Sequence, residues 1–189
     1  MTALLDLPEV RERVLRVSVS DYHRLGELGM ISEDVELLRG IIVKKMSKSP
    51  LHEFVSERLL DILRELVPDG FRVRQERPLR LEDSVPEPDI SVVPGKPSDW
   101  VKAHPTSALL VVEIAIVSVP LDRNKAEIYA QAGIPEYWLV RAEERQIDIY
   151  RKPVEGSYEV KLTLGAADLL SCVSIPEVQF NTAEIFPGR

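Results

Sequence analysis

The amino-acid sequence predicts a single α/β domain in which a mixed β-sheet is flanked by α-helices. Short apolar runs typical of strands alternate with stretches of helical periodicity, a pattern that fits neither an all-α nor an all-β fold. The 189 residues suit one domain and would leave two domains very small. No internal repeat or Gly/Ser-rich linker divides the chain. We therefore expect an N-terminal arm at residues 1–17, a main domain at residues 18–165, and a C-terminal extension at residues 166–189 packed on the same domain.

Two helices are predicted in the N-terminal half. Ser20 can cap a short helix over residues 21–28, and Gly29 is the residue type that commonly ends a helix. Residues 50–67 carry apolar side chains at helical spacing and predict a long amphipathic helix. The side chains that we expect this helix to bury against the sheet are Phe54, Val55, Leu59, Ile62 and Leu63.

The strand pattern begins with a hairpin. Apolar runs at Val35–Leu38 and residues 41–46 are separated only by Arg39-Gly40, which predicts a tight turn. A long connection at residues 94–107 is either a loop near a site or a passive surface segment. The other predicted elements are strands at Phe71–Gln75, 89–93, 109–117, 137–140, 146–150 and 158–163, and a helix at 122–132 ended by Gly133.

Composition limits the compartment and the class of partner. No stretch approaches the roughly 20 apolar residues that span a bilayer, and the N-terminus lacks an export signal, so we expect a cytoplasmic protein without a membrane partner. The single cysteine, Cys172, excludes an intramolecular disulfide and a cysteine-based zinc cluster.

The net charge of −7 counts against a simple nucleic-acid binder, although carboxylates gathered at a metal site would lower the total. One stretch is locally basic. It forms either a binding patch or a solvated strand edge, and its members are Arg72, Arg74, Arg77 and Arg80.

Glu113 lies inside the apolar run at residues 109–117, which is typical of a strand covered on both faces. Burying an ionised carboxylate costs several kcal/mol unless the group is paired or binds a metal ion. Glu113 therefore needs a partner. The alternatives are a metal ion, a salt bridge to Arg123 or Lys125, or a strand short enough for Glu113 to reach solvent.

A second carboxylate, Asp89, follows Pro88 at the start of another strand-like run. If the two strands are neighbours, spaced by about 4.8 Å, Asp89 and Glu113 can share one hard cation. Glu87 is a weaker alternative, and Asp89 alone could be a turn residue. Lys125, in the following helix, could stabilise charge on an attacked phosphate, or it could be a solvated helix lysine.

Several segments together resemble the Uma-two family of putative restriction endonucleases. The similarity covers roughly residues 18–152 and is more specific than any single motif. It is carried by Val35-Glu36-Leu37-Leu38-Arg39-Gly40, Ser49-Pro50-Leu51-His52, Pro88-Asp89-Ile90-Ser91-Val92-Val93, Leu110-Val111-Val112-Glu113-Ile114, and the stretch from Asp122-Arg123-Asn124-Lys125 to Glu136-Tyr137-Trp138-Leu139-Val140.

This resemblance implies the restriction-endonuclease-like PD-(D/E)XK fold for residues 18–165. It implies that Asp89 and Glu113 bind a metal ion together with the backbone carbonyl of Ile114. In many relatives of that fold a lysine stands two residues after the glutamate, where this chain has Ala115. The resemblance places the lysine in the following helix instead, at Lys125.

Two further residues match the family pattern and two segments depart from it. Glu36 corresponds to the acidic residue of the first hairpin and His52 to the histidine at the start of the long helix. Glu36 either completes the site or is a strand-edge charge. His52 either completes the site or is a surface residue. The first departure is the segment after Glu113, which is apolar. The second is Arg141, which stands where the family often has an aspartate.

The expected activity is that of a Mg²⁺- or Mn²⁺-dependent endonuclease that hydrolyses DNA phosphodiester bonds. Metal chemistry would supply the nucleophile by lowering the pKa of bound water. DNA is implied as the substrate by the resemblance alone, and a homodimer is compatible with it. The alternative is a catalytically degenerate nuclease fold that acts as a binding or interaction module, which the acidic net charge also fits.

Overall fold

The computed structural model describes residue 10, residues 13–116 and residues 119–188. Most of the predicted N-terminal arm, and residues 117 and 118 after the Glu113 strand, lie outside the described part of the chain. Three α-helices are present there, namely α1 (Val19–Glu27), α2 (Pro50–Leu66) and α3 (Val119–Gln131). The strands are β1 (Val35–Leu38), β2 (Ile41–Lys44), β3 (Phe71–Gln75), β4 (Ile90–Pro94), β5 (Leu110–Ala115), β6 (Glu136–Arg141), β7 (Gln146–Val154), β8 (Ser157–Leu164), β9 (Leu169–Ser171) and β10 (Gln179–Asn181).

Six strands form one mixed sheet in the order β3-β4-β5-β6-β7-β8. Strands β5 and β6 run parallel, with α3 as the crossover between them, and the other neighbours in the sheet are antiparallel. The predicted mixed sheet flanked by helices is therefore confirmed. Two short 3₁₀ helices, Pro97–Trp100 and Thr182–Ile185, were not predicted.

Helices cover both faces of the sheet, which explains the uninterrupted apolar run of β5. Side chains alternate between faces along a strand, so Val112 packs with Leu59 of α2 while Val111 packs with Tyr129 of α3. Glu113 has the same parity as Val111 and so belongs to the α3 face. This parity brings the carboxylate under the helix that carries Lys125.

The long helix α2 forms where predicted, but its buried face is rotated from the prediction. Ser49 caps the helix, because its side chain accepts a hydrogen bond from the His52 backbone N–H. Leu59 is fully buried, whereas Phe54 is 41% exposed, so the prediction that Phe54 packs on the sheet is wrong. The apolar residues that the helix buries are Val55, Leu59, Leu60 and Leu63, with Ile62 partly buried beside them.

The short helix α1 begins earlier than predicted. Its N-cap is Ser18, whose side chain accepts a hydrogen bond from the Asp21 backbone N–H, and not Ser20. Gly29 ends the helix with φ +66°, and Met30 N–H donates to the Leu25 carbonyl. This pattern is a Schellman motif, in which a left-handed residue closes the last turn.

The β1–β2 hairpin forms a separate two-stranded sheet. Arg39 and Gly40 both have positive φ, the pattern of the type I′ turn that suits a two-residue hairpin. A Cβ at residue 40 would lie 2.6 Å from Arg16 Cβ, so the close approach of that chain segment also requires glycine. The hairpin joins the rest of the fold through a bridge between Leu37 and Val85.

The C-terminal segment closes one side of the sheet through β9, β10 and the second 3₁₀ helix. Its apolar side chains, including Leu170, Phe180 and Ile185, belong to the same core cluster as α2. Glu136 at the start of β6 is fully buried and accepts hydrogen bonds from Arg151 and from the Val173 backbone. Among the described residues, no helix is both long enough and apolar enough to cross a membrane.

Candidate active site

A cavity of about 880 Å³ opens between the β1–β2 hairpin, the start of α2, the adjoining ends of β4 and β5, and α3. Its wall carries charged side chains at the places where these elements meet. Those central to its chemistry are Glu36, Asp89, Glu113, Asp122, Lys125 and His52, and all six are buried.

Sheet pairing brings Asp89 and Glu113 together. Strands β4 and β5 pair with Ile90 opposite Val112, and continuing this register by one residue places Asp89 opposite Glu113. The backbone at Asp89 is still ordered by the sheet, because its carbonyl accepts a hydrogen bond from Glu76 N–H at 3.0 Å. Residues opposite each other on one face of an antiparallel pair have Cβ atoms about 4.5–5.5 Å apart. The two carboxylates therefore face the same cavity.

The two oxygens of Asp89 have different partners. Oδ2 accepts a hydrogen bond from the Ile114 backbone N–H at 2.8 Å and lies 3.1 Å from His52 Nε2. Oδ1 lies 3.4 Å from Lys48 Nζ. Burial alone would raise the pKa of Asp89, but the contacts with His52, Ile114 N–H and Lys48 hold it below its ordinary value. Asp89 is therefore an anion that is already oriented by the fold.

Glu113 receives both of its hydrogen bonds on one oxygen. Tyr129 Oη donates to Oε1 at 2.7 Å and Lys125 Nζ donates to the same atom at 3.1 Å. Burial, together with the nearby carboxylates Asp89, Asp122 and Glu36, raises the pKa of Glu113 to about 8 against the opposing effect of Lys125. Its ionised form therefore needs more positive charge than Lys125 provides.

Lys125 lies at the centre of the acidic cluster. Its Nζ is 2.9 Å from Glu36 Oε1, 3.1 Å from Glu113 Oε1 and 3.8 Å from Asp122 Oδ1. Burial would lower the pKa of Lys125, but Glu113, Glu36 and Asp122 together raise it above its ordinary value. The ammonium group is therefore charged and fixed in place, and it is not a solvated helix lysine.

Glu36 and His52 are both buried, so neither is the solvated strand-edge charge or surface residue that the sequence left open. Glu36 Oε1 pairs with Lys125, and its Oε2 accepts a hydrogen bond from the Glu87 backbone N–H at 3.2 Å. Glu87 lines the cavity but pairs with Lys45 at 2.8 Å. His52 Nδ1 is buried without a hydrogen-bond partner among the described residues.

Other candidates from the sequence lie elsewhere. Arg123 pairs with Asp148 and not with Glu113, and Arg141 pairs with the same aspartate at 3.0 Å. Ile114 lines the cavity, whereas Ala115 belongs to the core under α3. None of the four arginines of the basic stretch (Arg72, Arg74, Arg77 and Arg80) lines the cavity.

The sequence did not predict three residues that contact the buried carboxylates of the site. Asp122 and Tyr129 share the helix face of Lys125, at three residues before it and four after it, and that spacing could have indicated both. Lys48 comes from the segment between β2 and α2, and no sequence pattern distinguishes it from Lys44 or Lys45.

The donor chemistry of the cavity fits a hard divalent cation. Oxygen ligands are available from Asp89, Glu113 and the adjacent backbone, and four buried carboxylates line the cavity together with Lys125. Within residues 13–116 and 119–188, no group of three or more His, Cys, Asp or Glu side chains could hold a metal ion by itself. A site with two carboxylates suits Mg²⁺ better than Ca²⁺, because Mg²⁺ keeps several waters and is bound through one or two carboxylates.

Comparisons with known proteins agree with this architecture. The sequence profile of the Uma2 family, described as "putative restriction endonuclease", matches residues 19–183. A solved structure of a "putative nuclease belonging to DUF820" from Anabaena variabilis ATCC 29413 aligns with a TM-score of 0.70 and 17% sequence identity, covering 86% of this chain and 96% of that chain. At this level of identity the likeness shows the fold alone. No curated protein matches the chain.

Proposed function

The chain belongs to the Uma2 family, whose description is "putative restriction endonuclease", and on this basis we propose that it is a Mg²⁺- or Mn²⁺-dependent endonuclease that hydrolyses phosphodiester bonds of DNA. The family and the nuclease-like fold support a nuclease role. Metal dependence and the DNA substrate are the parts that we propose.

The observation that carries the proposal is the cavity in which buried carboxylates outnumber the buried ammonium group. Glu36, Asp89, Glu113 and Asp122 line it together with Lys125. Buried charges are stable only when they are paired or bind metal ions. Glu36 and Glu113 share the ammonium group of Lys125, and burial still raises the pKa of Glu113 to about 8, so a divalent cation would stabilise its ionised form.

Asp89 and Glu113, with the carbonyl of Ile114, are the groups that would hold the cation. When bound, a divalent cation in such a site polarises the phosphate and lowers the pKa of a water ligand. His52 and the Ile114 N–H fix the orientation of Asp89, and Tyr129 fixes that of Glu113. These contacts leave one oxygen of each carboxylate with no hydrogen bond to the protein among the described residues.

Lys125 and Glu36 supply the remaining electrostatic environment. A fixed ammonium group near the scissile phosphate stabilises the charge that grows on the phosphorus-bound oxygens as water adds and the ester bond breaks. Glu36 also holds Lys125, with Oε1 2.9 Å from its Nζ, so the lysine is oriented before substrate arrives. This arrangement would replace the lysine that many related nucleases carry on the strand itself.

The test uses the purified protein, a closed circular plasmid and Mn²⁺. An endonuclease converts a supercoiled plasmid to nicked and linear forms, whereas an exonuclease cannot begin on a closed circle. We expect Mn²⁺ to raise the melting temperature of the protein and to support plasmid cleavage that chelation stops. Asp89→Asn should lose both effects, because it removes charge from a ligand. The matched control is Asp69→Asn, at an exposed turn between α2 and β3.

The outcomes separate the two hypotheses from the sequence. Mn²⁺ binding with plasmid cleavage, both lost in Asp89→Asn and kept in Asp69→Asn, supports the proposal. Mn²⁺ binding without cleavage favours the alternative of a degenerate site that binds but does not react. Cleavage of RNA in preference to DNA would overturn the assigned substrate, and absence of Mn²⁺ binding would overturn the site.

A further inference from the structure

Lys48 makes a contact that a bound cation would have to replace. Asp89 Oδ2 is engaged by the Ile114 N–H and by His52, so Oδ1 is the oxygen left for a ligand. Within the described residues, the partner of Oδ1 is Lys48 Nζ at 3.4 Å. That separation is longer than the usual charge-assisted hydrogen bond of about 2.7–2.9 Å. The ammonium group therefore neutralises Asp89 without a short hydrogen bond to hold it there.

Lys48 also contacts a second carboxylate, with which it can remain paired when it leaves Asp89. Its Nζ lies only 2.7 Å from Glu76 Oε1, a shorter contact than the one to Asp89. The Lys48 side chain is 30% exposed and extends from the segment between β2 and α2, at the mouth of the cavity. A lysine on a four-carbon stem can move a few ångströms at small cost, because its three donors carry no fixed geometry.

Lys125 differs from Lys48 in each of these respects. Its side chain is 6% exposed, and three carboxylates surround its ammonium group. Of these two lysines, Lys125 is fixed and Lys48 is displaceable, and Lys48 is the one that contacts Asp89 Oδ1.

We propose that Lys48 is a displaceable counter-ion of Asp89, which competes with a divalent cation for Oδ1 and, once displaced, binds a backbone phosphate of the nucleic acid at the cavity mouth. This inference rests on the proposed function for its ligand. The physical reason is charge balance: Lys48 compensates Asp89 while the site holds no cation, and its charge becomes available to an incoming anion when the cation takes over that task.

The first experiment measures Mn²⁺ affinity in the absence of DNA, so it does not depend on activity. Lys48→Met removes the competing charge and should bind Mn²⁺ about 30-fold more tightly, the effect of removing one unit charge about 4 Å from a divalent cation in water. Lys48→Arg keeps the charge and should resemble the unmodified protein.

The matched control for this titration is Lys45→Met. Lys45 lines the same cavity with a similar side-chain exposure of 26%, but its partner is Glu87. It therefore reports the general effect of removing a cavity charge, which should be well below that of Lys48→Met.

The second experiment measures binding of a DNA duplex in Ca²⁺ as a function of salt concentration, with cleavage monitored in the same samples. A lysine that neutralises one phosphate contributes about one unit to the slope of log K against log salt. We expect Lys48→Met to reduce the slope by about one unit and Lys45→Met to leave it unchanged. A reduced slope in Lys48→Met together with an unchanged slope in Lys48→Arg would identify the charge of Lys48 as the cause.

The results separate this inference from the proposed function. Tighter Mn²⁺ binding together with a reduced salt slope in Lys48→Met, both larger than in Lys45→Met, supports the displaceable counter-ion. Equal effects of the two methionine variants in either experiment overturn it while the metal site stands. If the unmodified protein binds no Mn²⁺, the proposed function itself fails.

Discussion

Replacing Lys125 by methionine removes the ammonium group that lies between Glu36 and Glu113, while keeping most of the side-chain length. The lysine contacts these two carboxylates at 2.9 and 3.1 Å, and all three side chains are at most 6% exposed. Two unit charges about 4 Å apart interact by about 4 kcal/mol at an effective dielectric constant of 20. Removing one partner of a buried pair typically costs about 3–5 kcal/mol, because the other charge is left uncompensated.

The acidity of Glu113 places the expected loss at the lower end of that range. Burial raises the pKa of Glu113 to about 8 even though Lys125 is beside it, so its carboxyl takes up a proton near pH 7, and removing the lysine raises this pKa further. We therefore expect Lys125→Met to lower the free energy of unfolding of the metal-free protein by about 3 kcal/mol. The ion pairs of Lys125 make this substitution more costly than the removal of a solvated helix lysine.

The decisive measurement is urea unfolding of both proteins in EDTA and in saturating Mn²⁺. A cation at 100 times its dissociation constant stabilises a protein by about 2.7 kcal/mol. The variant should gain at least about 1 kcal/mol more than the unmodified protein, since a positive charge near the site no longer opposes the cation. In Mn²⁺ it should then fold but cleave DNA about 10²-fold more slowly, as expected for loss of one stabilising donor.

The control is Lys102→Met, at an exposed position outside the cavity wall, which should change stability by about 0.5 kcal/mol or less. The reasoning would be refuted if Lys125→Met lost the same stability in EDTA and in Mn²⁺. That result would mean that the lysine and the cation do not share one electrostatic site.

Two further predictions concern the fold. Leu59→Ala should lower the free energy of unfolding by about 2–5 kcal/mol, because Leu59 is fully buried, whereas Phe54→Ala should cost about 1 kcal/mol or less; equal costs in urea unfolding would contradict the observed face of α2. Burial alone would raise the pKa of Asp148, but hydrogen bonds from Thr163 and Arg141 hold this pKa below its ordinary value. The ionised carboxylate therefore stabilises the fold above about pH 4, and this stabilisation is lost as the pH falls through the lower folded-state pKa. The stability difference between the unmodified protein and Asp148→Asn should therefore shrink as the pH falls below about 4, and a difference independent of pH would contradict the assignment.

Strong local patterns predicted most of the sheet and the long helix. The uninterrupted apolar run around Glu113 indicated a strand covered on both faces, and β5 is such a strand. Where the pattern was ambiguous, the prediction failed. Helix α2 carries more apolar positions than one face can bury, so only packing against the sheet decides that Leu60 lies inside and Phe54 outside. At α1 two serines could serve as caps, and the local sequence does not distinguish Ser18 from Ser20.

The carboxylates of the candidate site were easier to predict from the sequence than its lysines. Asp89 and Glu113 stood out because a charge beside or inside an apolar run needs a partner. Of the alternatives for Glu113, the salt bridge to Lys125 is present, whereas a strand end that reaches solvent is wrong because Glu113 is buried. A metal ion as its partner stays a proposal. Lys48 could not be found in the sequence, since its role depends on the docking of the β2–α2 segment beside Asp89.

The attachment of the β1–β2 hairpin affects the order in which the parts of the protein fold. Glu36 belongs to this hairpin, whose backbone contacts the segment around Val85 and not the six-stranded sheet. A nascent chain could complete the sheet and still lack one wall of the cavity and one partner of Lys125. Amide hydrogen exchange at Leu37 and Val85 would report how often the hairpin detaches. Under the proposed function, a half-folded chain would be harmless to the DNA of its own cell, because the hairpin must dock before the cavity is complete.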